Sequence, residues 1–156
     1  MRVFVKAVCL SLVLLAFPSA AHRGGAGGFT ADTRYDEYGD ICWEDEKARL
    51  DNFAVALQQD AKLVGHITVY AGRISCEGEA KFRGERAKGW VVGKRGIPAD
   101  RVLVHDAGYR EGAMTTLDLM PEGRKVGRHD TLDPSEVTVF DNCKGKIYLP
   151  VECHGE

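Results

Sequence analysis

The chain lacks the short motifs that identify most cofactor-dependent enzymes and hydrolases from sequence alone. It contains no phosphate-binding loop, no dinucleotide fingerprint, no zinc-protease motif and no Gly-x-Ser-x-Gly turn around a nucleophilic serine. It also lacks a Cys-x-x-Cys pair and any internal repeat. These absences argue against the common nucleotide, metal and serine chemistries, so we expect no cofactor.

Apolar runs long enough to cross a bilayer are missing as well, since a spanning helix needs about 20 apolar residues. The run Ala7–Phe17 is shorter, follows the cations Arg2 and Lys6, and precedes small residues that end at Ala21. That order is typical of a secretory signal peptide and predicts the removal of residues 1–21. The alternative is a retained membrane anchor. We therefore expect an exported protein, periplasmic or secreted, with no stable membrane span after cleavage.

An excess of positive charge is also missing. The whole chain has a formal net charge of −2, and removal of residues 1–21 takes away two cations and no acid, which leaves −4. Binding to nucleic acid depends on clustered Lys and Arg that neutralise phosphates. The mildly acidic balance therefore argues against nucleic acid as a partner.

Four cysteines remain outside the predicted signal peptide: Cys42, Cys76, Cys143 and Cys153. An even number in an exported domain indicates two disulfide bonds, and three pairings are possible. We favour Cys42–Cys76 and Cys143–Cys153, because each bond joins segments that the predicted fold can bring together. The alternative is a metal site of Cys143, Cys153 and His154. No second histidine stands at ligand spacing, so we expect no metal.

Apolar periodicity predicts two helices. Over residues 43–59 the apolar side chains recur at helical spacing, as Leu50, Phe53, Ala54 and Leu57. Over residues 77–94 a second stripe consists of Ala80, Ala87, Trp90 and Val91. Gly96 follows that stripe and favours the end of the helix.

Short β-branched or alternating segments predict the strands. They lie near residues 35–41, 64–70, 101–105 and 114–120, with a hairpin formed by 136–140 and 146–149. Strands that alternate with helices indicate strand–helix–strand crossovers. We therefore predict an α/β fold, an α+β sandwich with a mixed sheet, two main helices on one face and a C-terminal β-hairpin. In this scheme residues 22–33 form a flexible lead-in, 34–121 the α/β domain, and 122–156 a loop and a disulfide-bearing hairpin tail.

Several segments together resemble a known family. Gly84–Val92 reads Gly-Glu-Arg-Ala-Lys-Gly-Trp-Val-Val, and Lys94–Val102 reads Lys-Arg-Gly-Ile-Pro-Ala-Asp-Arg-Val. With Leu50–Ala54 and Asp106–Glu111, their order and spacing resemble the OmpA-like C-terminal domain over about residues 35–121. The resemblance implies that fold and a role in binding peptidoglycan in the periplasm.

The family's ligand chemistry pairs an acid with an arginine, because the diaminopimelate of peptidoglycan carries both an ammonium and a carboxylate. Here Ala71 occupies the position of the family's Asp, and the segment Arg110–Gly112 leads straight into the next strand without the loop that carries the family's Arg. The remaining candidate is a shifted site formed by Arg73, Glu77, Glu79 and Arg110. The alternative is that these four side chains are solvated charges at loop mouths.

The sequence thus favours an exported, non-catalytic module of the cell envelope that by resemblance associates with peptidoglycan. A protein–protein interaction module with another envelope protein as its partner is the alternative. A small secreted hydrolase that uses His105 or Cys76 is the third hypothesis. Against it, His105 and Asp106 point to opposite faces of a strand, and a cysteine in an exported domain favours a disulfide. His66, in a central strand, is expected to be packed or hydrogen-bonded.

Overall fold

The computed structural model describes residues 34–127, 129–141 and 143, which belong to one compact unit. Within them the strands are β1 (Arg34–Tyr38), β2 (Leu63–Ala71), β3 (Ile74–Cys76), β4 (Val102–Tyr109), β5 (Met114–Pro121) and β6 (Thr138–Phe140). The helices are α1 (Trp43–Gln59) and α2 (Glu79–Gly93), with single 3-10 turns at Ala99–Arg101 and Pro134–Glu136. In this part of the chain no helix is long and apolar enough to cross a membrane.

The main sheet is mixed, as predicted, with the strand order β1-β5-β2-β4. Strand β2 runs parallel to β4 and antiparallel to β5, and β5 runs antiparallel to β1. Helix α2 follows β2 and precedes β4, which forms the strand–helix–strand crossover expected from the sequence. The predicted fold class is therefore confirmed.

Both helices lie on the same face of the sheet, as predicted. A Cβ atom on Gly65 of β2 would meet the side chains of Phe53 and Leu57 in α1. A Cβ atom on Gly84 of α2 would meet the side chain of Val69, also in β2. Gly65 and Val69 are four residues apart in one strand, so they point to the same side of the sheet. The other side of the sheet is free of helices in the described residues.

Helix α1 has the predicted bounds, and its predicted apolar stripe is buried. Helix α2 is slightly shorter than the predicted 77–94. It ends as predicted before Gly96, which has a left-handed φ of 72° and donates its N–H to the carbonyl of Val92 at 3.1 Å. Glycine adopts this conformation at little steric cost, so it suits the end of a helix.

Gly84 allows helix α2 to lie close to the sheet. A Cβ atom at this position would clash with Cγ1 of Val104 in β4 and would lie 3.4 Å from Cγ2 of Val69 in β2. Ala87 is almost completely buried one turn later. Gly84 thus faces the sheet at close range, and it tolerates no added atom without movement of its neighbours.

We expect Gly84→Ala to lower the free energy of unfolding by about 1–3 kcal/mol, because the added methyl overpacks the helix–sheet contact. Gly89→Ala in the same helix is the matched control, since a Cβ atom there meets nothing within 4 Å. The control should raise the free energy of unfolding by about 0.5–1 kcal/mol through better helix propensity. Urea denaturation measures both changes, and an unchanged stability of Gly84→Ala would contradict the close contact.

The favoured disulfide pairing is wrong. Cys76 is bonded to Cys143, 67 residues further along the chain, with Cα atoms 6.0 Å apart. Cys42 is also disulfide-bonded, and its partner lies outside the described residues. The physical reason is strand β3, which was not predicted from the sequence. Because β3 pairs with β6 in parallel, Cys76 lies beside the chain that leads to Cys143. The bond removes Cys76 as a free thiol and Cys143 as a metal ligand.

The chain after β5 returns to the domain through β6. Thr138 donates its N–H to the carbonyl of Arg73 at 2.8 Å, and Glu77 donates its N–H to the carbonyl of Phe140 at 3.1 Å. The first strand of the predicted hairpin is thus present as β6, with β3 as its described partner. The predicted second strand, 146–149, lies outside the described residues, as do the signal peptide 1–21, the lead-in 22–33, Cys153 and His154.

Candidate functional site

Arg73, one of the predicted site residues, forms an ion pair with Glu111 near the end of β2. Nε of Arg73 donates to both carboxylate oxygens of Glu111, at 3.1 and 2.9 Å, and a further nitrogen donates to the carbonyl of Glu136 at 2.8 Å. The hydrogen bonds from Arg73 lower the pKa of the Glu111 carboxyl. An acid and a base thus meet close to Ala71, but they neutralise each other.

The other predicted site residues have different partners. The carboxylate of Glu79 accepts the backbone N–H of Cys76 at 3.2 Å. The guanidinium of Arg110 lies over the ring of Tyr70, 5.6 Å from its centroid. Glu77 is tied to β6 through its backbone. The fold brings these residues and Arg73 to the end of the sheet where β2 and β4 finish, and their role in ligand binding stays a prediction.

A cavity of about 780 Å³ lies on the helix-free face of the sheet. Side chains alternate along β2, so that Ile67 and Val69 point to the helices while His66, Thr68 and Tyr70 point the other way. The latter three line the cavity. Its other walls are β4 and the residues 124–127 and 129–131, with Leu103, His105, Arg124, Lys125, Val126 and His129 among the lining residues.

His66 and His105 are hydrogen-bonded to each other at the cavity. Nδ1 of His66 lies 2.8 Å from Nε2 of His105. The ring planes differ by 9°, and the ring centroids are 5.1 Å apart. The centroids are much further apart than the nitrogens, so the imidazoles meet edge to edge rather than face to face. This is the geometry of a direct N–H···N hydrogen bond.

The shared hydrogen bond requires both rings of the neutral pair to be the same tautomer. If His66 donates from Nδ1, both rings are protonated on Nδ1; if His105 donates from Nε2, both are protonated on Nε2. In either case one outer nitrogen is a donor and the other an acceptor. The outer nitrogens, Nε2 of His66 and Nδ1 of His105, make no hydrogen bond with another described residue. No described residue therefore occupies them.

Burial is the main influence on the charge of this pair. Burial lowers the pKa of His66, and the positive charge that His105 can carry lowers it further. Burial also lowers the pKa of His105, which the carboxylate of Asp118 partly offsets. Asp118 is itself buried and stands opposite His66 in the register of β5 against β2. Both imidazoles therefore favour the neutral form at neutral pH.

Residues 124–127 and 129–131 form the cover of the cavity, and hydrogen bonds attach this part of the chain to the sheet. His129 donates its backbone N–H to the hydroxyl of Tyr70 at 3.2 Å. Arg34 of β1 donates to Nε2 of His129 at 2.8 Å and forms an ion pair with Glu37 at 2.9 Å. Because arginine has no acceptor, Nε2 of His129 must be the acceptor. Leu132 then donates its N–H to the carbonyl of Tyr109, at the end of β4.

The cover also carries two cations without partners among the described residues. Neither Arg124 nor Lys125 makes an ion pair or side-chain hydrogen bond with another residue in this part of the chain. Asp106, at the cavity rim, uses a carboxylate oxygen to accept the N–H of Gly108 at 3.1 Å. The cover therefore presents positive charge to the cavity.

The partnership of the two histidines was not predicted from the sequence. The prediction that His66 is packed or hydrogen-bonded is confirmed, whereas the only partner considered for His105 was Asp106. The sequence of β2 does contain one indication of this site, because His66, Thr68 and Tyr70 occupy alternate positions and therefore lie on one face of the strand. A crossover that makes β2 and β4 parallel neighbours can place His66 next to His105. No group of three or more His, Cys, Asp or Glu side chains in the described ranges is arranged to hold a metal ion.

No family model, curated protein or solved structure matches this chain. The resemblance to the OmpA-like domain thus stays a prediction from sequence.

The pKa values of the histidine pair should respond in opposite directions to two substitutions. His105→Asn should raise the pKa of His66, because it removes a neighbouring positive charge and opens the site to water. Asp118→Asn should lower the pKa of His105, because it removes the carboxylate that stabilises the imidazolium. NMR titration of the ring protons measures both values. Asp106→Asn is the control and should change neither, and shifts of the reverse sign would refute the assigned neighbours.

The hydroxyl of Thr68 is buried without a hydrogen-bond partner. The hydroxyl of Thr116 on β5, by contrast, donates to the carbonyl of Thr68 at 3.5 Å. A buried hydroxyl without a partner destabilises the fold, so Thr68→Val should raise the free energy of unfolding by about 1 kcal/mol. The matched substitution Thr116→Val should lower it by a similar amount. Chemical denaturation of both variants checks this, and a destabilised Thr68→Val would mean that its hydroxyl has a partner.

Proposed function

We propose that this chain is an exported, non-catalytic binding module of the cell envelope that holds a small polar ligand in the cavity beneath residues 124–127 and 129–131. The single observation that carries the proposal is the cavity itself. It is about 780 Å³ in volume and is lined by both polar and apolar side chains. Ligand sites in proteins are typically concave, of this size, and combine apolar walls with a few placed polar groups.

The polar groups at the cavity come from separate parts of the chain. His66 belongs to β2, His105 belongs to β4, and Arg124 and Lys125 belong to the cover. Leu103 and Val126 supply apolar surface between them. Side chains of β2, of its neighbour β4 and of the cover therefore surround one cavity. This arrangement supports binding of a ligand with both polar and apolar parts.

Peptidoglycan binding at the strand ends has less support from the geometry. Ala71 is 2% exposed and carries no polar group, so it cannot replace the acid of the resembled family. Arg73 is already occupied by Glu111. We therefore assign the ligand to the helix-free face of the sheet rather than to the end of β2.

A second candidate function is supported by exposed apolar residues on the two-stranded sheet of β3 and β6. Ile74 is 72% exposed, Phe140 is 51% exposed, and Val139 is also exposed. Large apolar side chains that are exposed together are typical of protein contacts. An envelope protein that docks on β3 and β6 would leave the cavity open, so the two functions are compatible.

Blocking the cavity should abolish ligand binding. Val126 lines the cavity, so Val126→Trp should fill part of the space that the ligand needs. Val55→Trp is the matched control, because Val55 is 48% exposed on α1, on the other side of the sheet. Two-dimensional NMR of the wild-type protein against a set of small polar compounds, charged and uncharged, identifies binders. We expect their chemical-shift changes to cluster on β2, β4 and residues 124–131.

The expected result is loss of these changes in Val126→Trp and their retention in Val55→Trp. Binders that map to the end of β2, or that bind both variants equally, would contradict the cavity as the ligand site.

A further inference from the structure

We propose that the ligand of this cavity is an extended peptide segment with acidic side chains, which pairs as an additional strand with the open edge of β4. This inference rests on the proposed function and names the ligand class for the same cavity. It depends on the exposed main chain of β4 in the cavity wall, on the cations of the cover, and on a second cavity that continues along the same strand.

Strand β4 lies at one edge of the main sheet. Among the described residues it pairs only with β2, so the backbone groups on its other side have no strand beside them. Its last residue, Tyr109, already accepts a backbone hydrogen bond from Leu132 at 2.9 Å, from outside the sheet. No such bond reaches residues 103–107 from the described part of the chain. An open edge of this kind is a template for another extended chain.

The cavity meets β2 and β4 in different ways. Its lining residues on β2 occupy alternate positions and belong to one face: His66, Thr68 and Tyr70. On β4 they are the five consecutive residues 103–107. Val104 is among them, although its Cγ1 atom lies next to Gly84 of α2 on the helix side of the sheet.

Successive side chains of a strand point to opposite faces, so consecutive residues border one space where that space reaches the edge of the strand. The exposure of the two strands agrees with this. Every residue of β2 from Val64 onward is buried, whereas most residues of β4 are partly or fully exposed. The main chain of β4 is therefore part of the cavity wall.

An extended peptide is the ligand that uses such an edge. Its main chain forms hydrogen bonds with the strand, and its alternate side chains enter the space on each side. A compact molecule satisfies one or two backbone groups, whereas an extended chain pairs with the whole row. One strand residue advances about 3.3 Å, so residues 103–107 accommodate a segment of about five residues.

The charges at the cavity favour acidic side chains on the peptide. Arg124 and Lys125 of the cover line this space and make no ion pair or side-chain hydrogen bond with another residue in the described ranges. Asp106 is the one carboxylate that the described residues place in the lining, and it accepts the N–H of Gly108 at 3.1 Å. The whole chain has a net charge of −2, so this local excess of cations is distinctive. Complementary charge would select acidic segments from other extended chains.

A second cavity, of about 420 Å³, continues the first toward the start of β4. The two cavities share His66, Leu103 and Arg124. The second is also lined by Asp100 and Arg101, which directly precede β4. The two spaces therefore follow one strand edge, and a longer peptide can continue along it.

The test uses two short synthetic peptides with acetyl and amide caps. One alternates threonine with glutamate, and its matched counterpart alternates threonine with lysine. Each is titrated into the ¹⁵N-labelled mature protein at pH 7 and constant ionic strength, and the backbone amide signals are followed by NMR. We expect the glutamate peptide to shift the signals of residues 103–107 and of the cover, and to bind about tenfold more tightly than the lysine peptide.

N-methylation of the glutamate peptide separates main-chain pairing from charge attraction. Adjacent residues of a strand direct their N–H groups to opposite sides, so only one of two neighbouring amides faces β4. Of two peptides methylated at the central threonine or the central glutamate, one should bind about tenfold more weakly, through a lost hydrogen bond and added bulk, and the other should bind as the parent peptide does. Equal effects of the two methyl groups would overturn strand pairing.

Two variants of the protein locate the charge effect. Lys125→Gln should weaken binding of the glutamate peptide and reduce its advantage over the lysine peptide. Lys81→Gln, at an exposed position of α2 outside both cavities, is the matched control and should bind as the wild type does. Equal affinity of the wild type for the two peptides, or equal effects of the two substitutions, would overturn the acidic class.

The remaining outcomes separate this inference from the proposed function. If neither peptide moves the signals of residues 103–107 while a small polar compound binds the cavity and Val126→Trp abolishes its binding, the peptide class is wrong and the proposed function stands. If neither peptides nor small compounds bind there, both proposals fail. Self-association through β4 without peptide, measured by analytical ultracentrifugation, would show that a second copy occupies the edge and would overturn the inference.

Discussion

Strand β2 is buried on both faces, and a different part of the chain packs against each face. Every residue from Val64 to Ala71 is buried. On one face the alternate residues pack against apolar side chains of α1 and α2. On the other face His66 and Thr68 lie under a polar segment. A buried polar group destabilises the fold unless it is hydrogen-bonded, which gives a physical reason for the pairing of His66 with His105.

The cover on the second face is held by hydrogen bonds to the sheet, because residues 124–127 and 129–131 form no helix or strand. Backbone bonds from His129 and Leu132 attach it to β2 and β4. Beyond it, β6 pairs with β3, and the disulfide Cys76–Cys143 closes a long stretch of chain. In the chain-entropy model a loop of this length contributes about 4 kcal/mol to stability. The disulfide therefore lies at the far end of the segment that encloses the cavity, which links it to the candidate site.

The sequence predicted the elements whose apolar residues recur at a regular spacing. The stripe of Leu50, Phe53 and Leu57 predicted α1 to the residue, and Gly96 predicted where α2 stops. Strand β3 has three residues and no alternation to recognise, so it was missed, and with it the pairing of Cys76. The hydrogen bond between His66 and His105 depends on the register of two parallel strands, which no local pattern contains. The cover was predicted to be a loop. Its position over the sheet depends on tertiary contacts, so no local pattern could predict it.

The most direct test of this account is a long-range ¹H–¹⁵N NMR spectrum of the histidine rings of the mature protein at pH 7.5. The account predicts a through-hydrogen-bond coupling between Nδ1 of His66 and Nε2 of His105, and the same tautomer in both rings. Different tautomers in the two rings, or rings that exchange freely with water and show no coupling, would contradict the buried pair and the cavity built upon it.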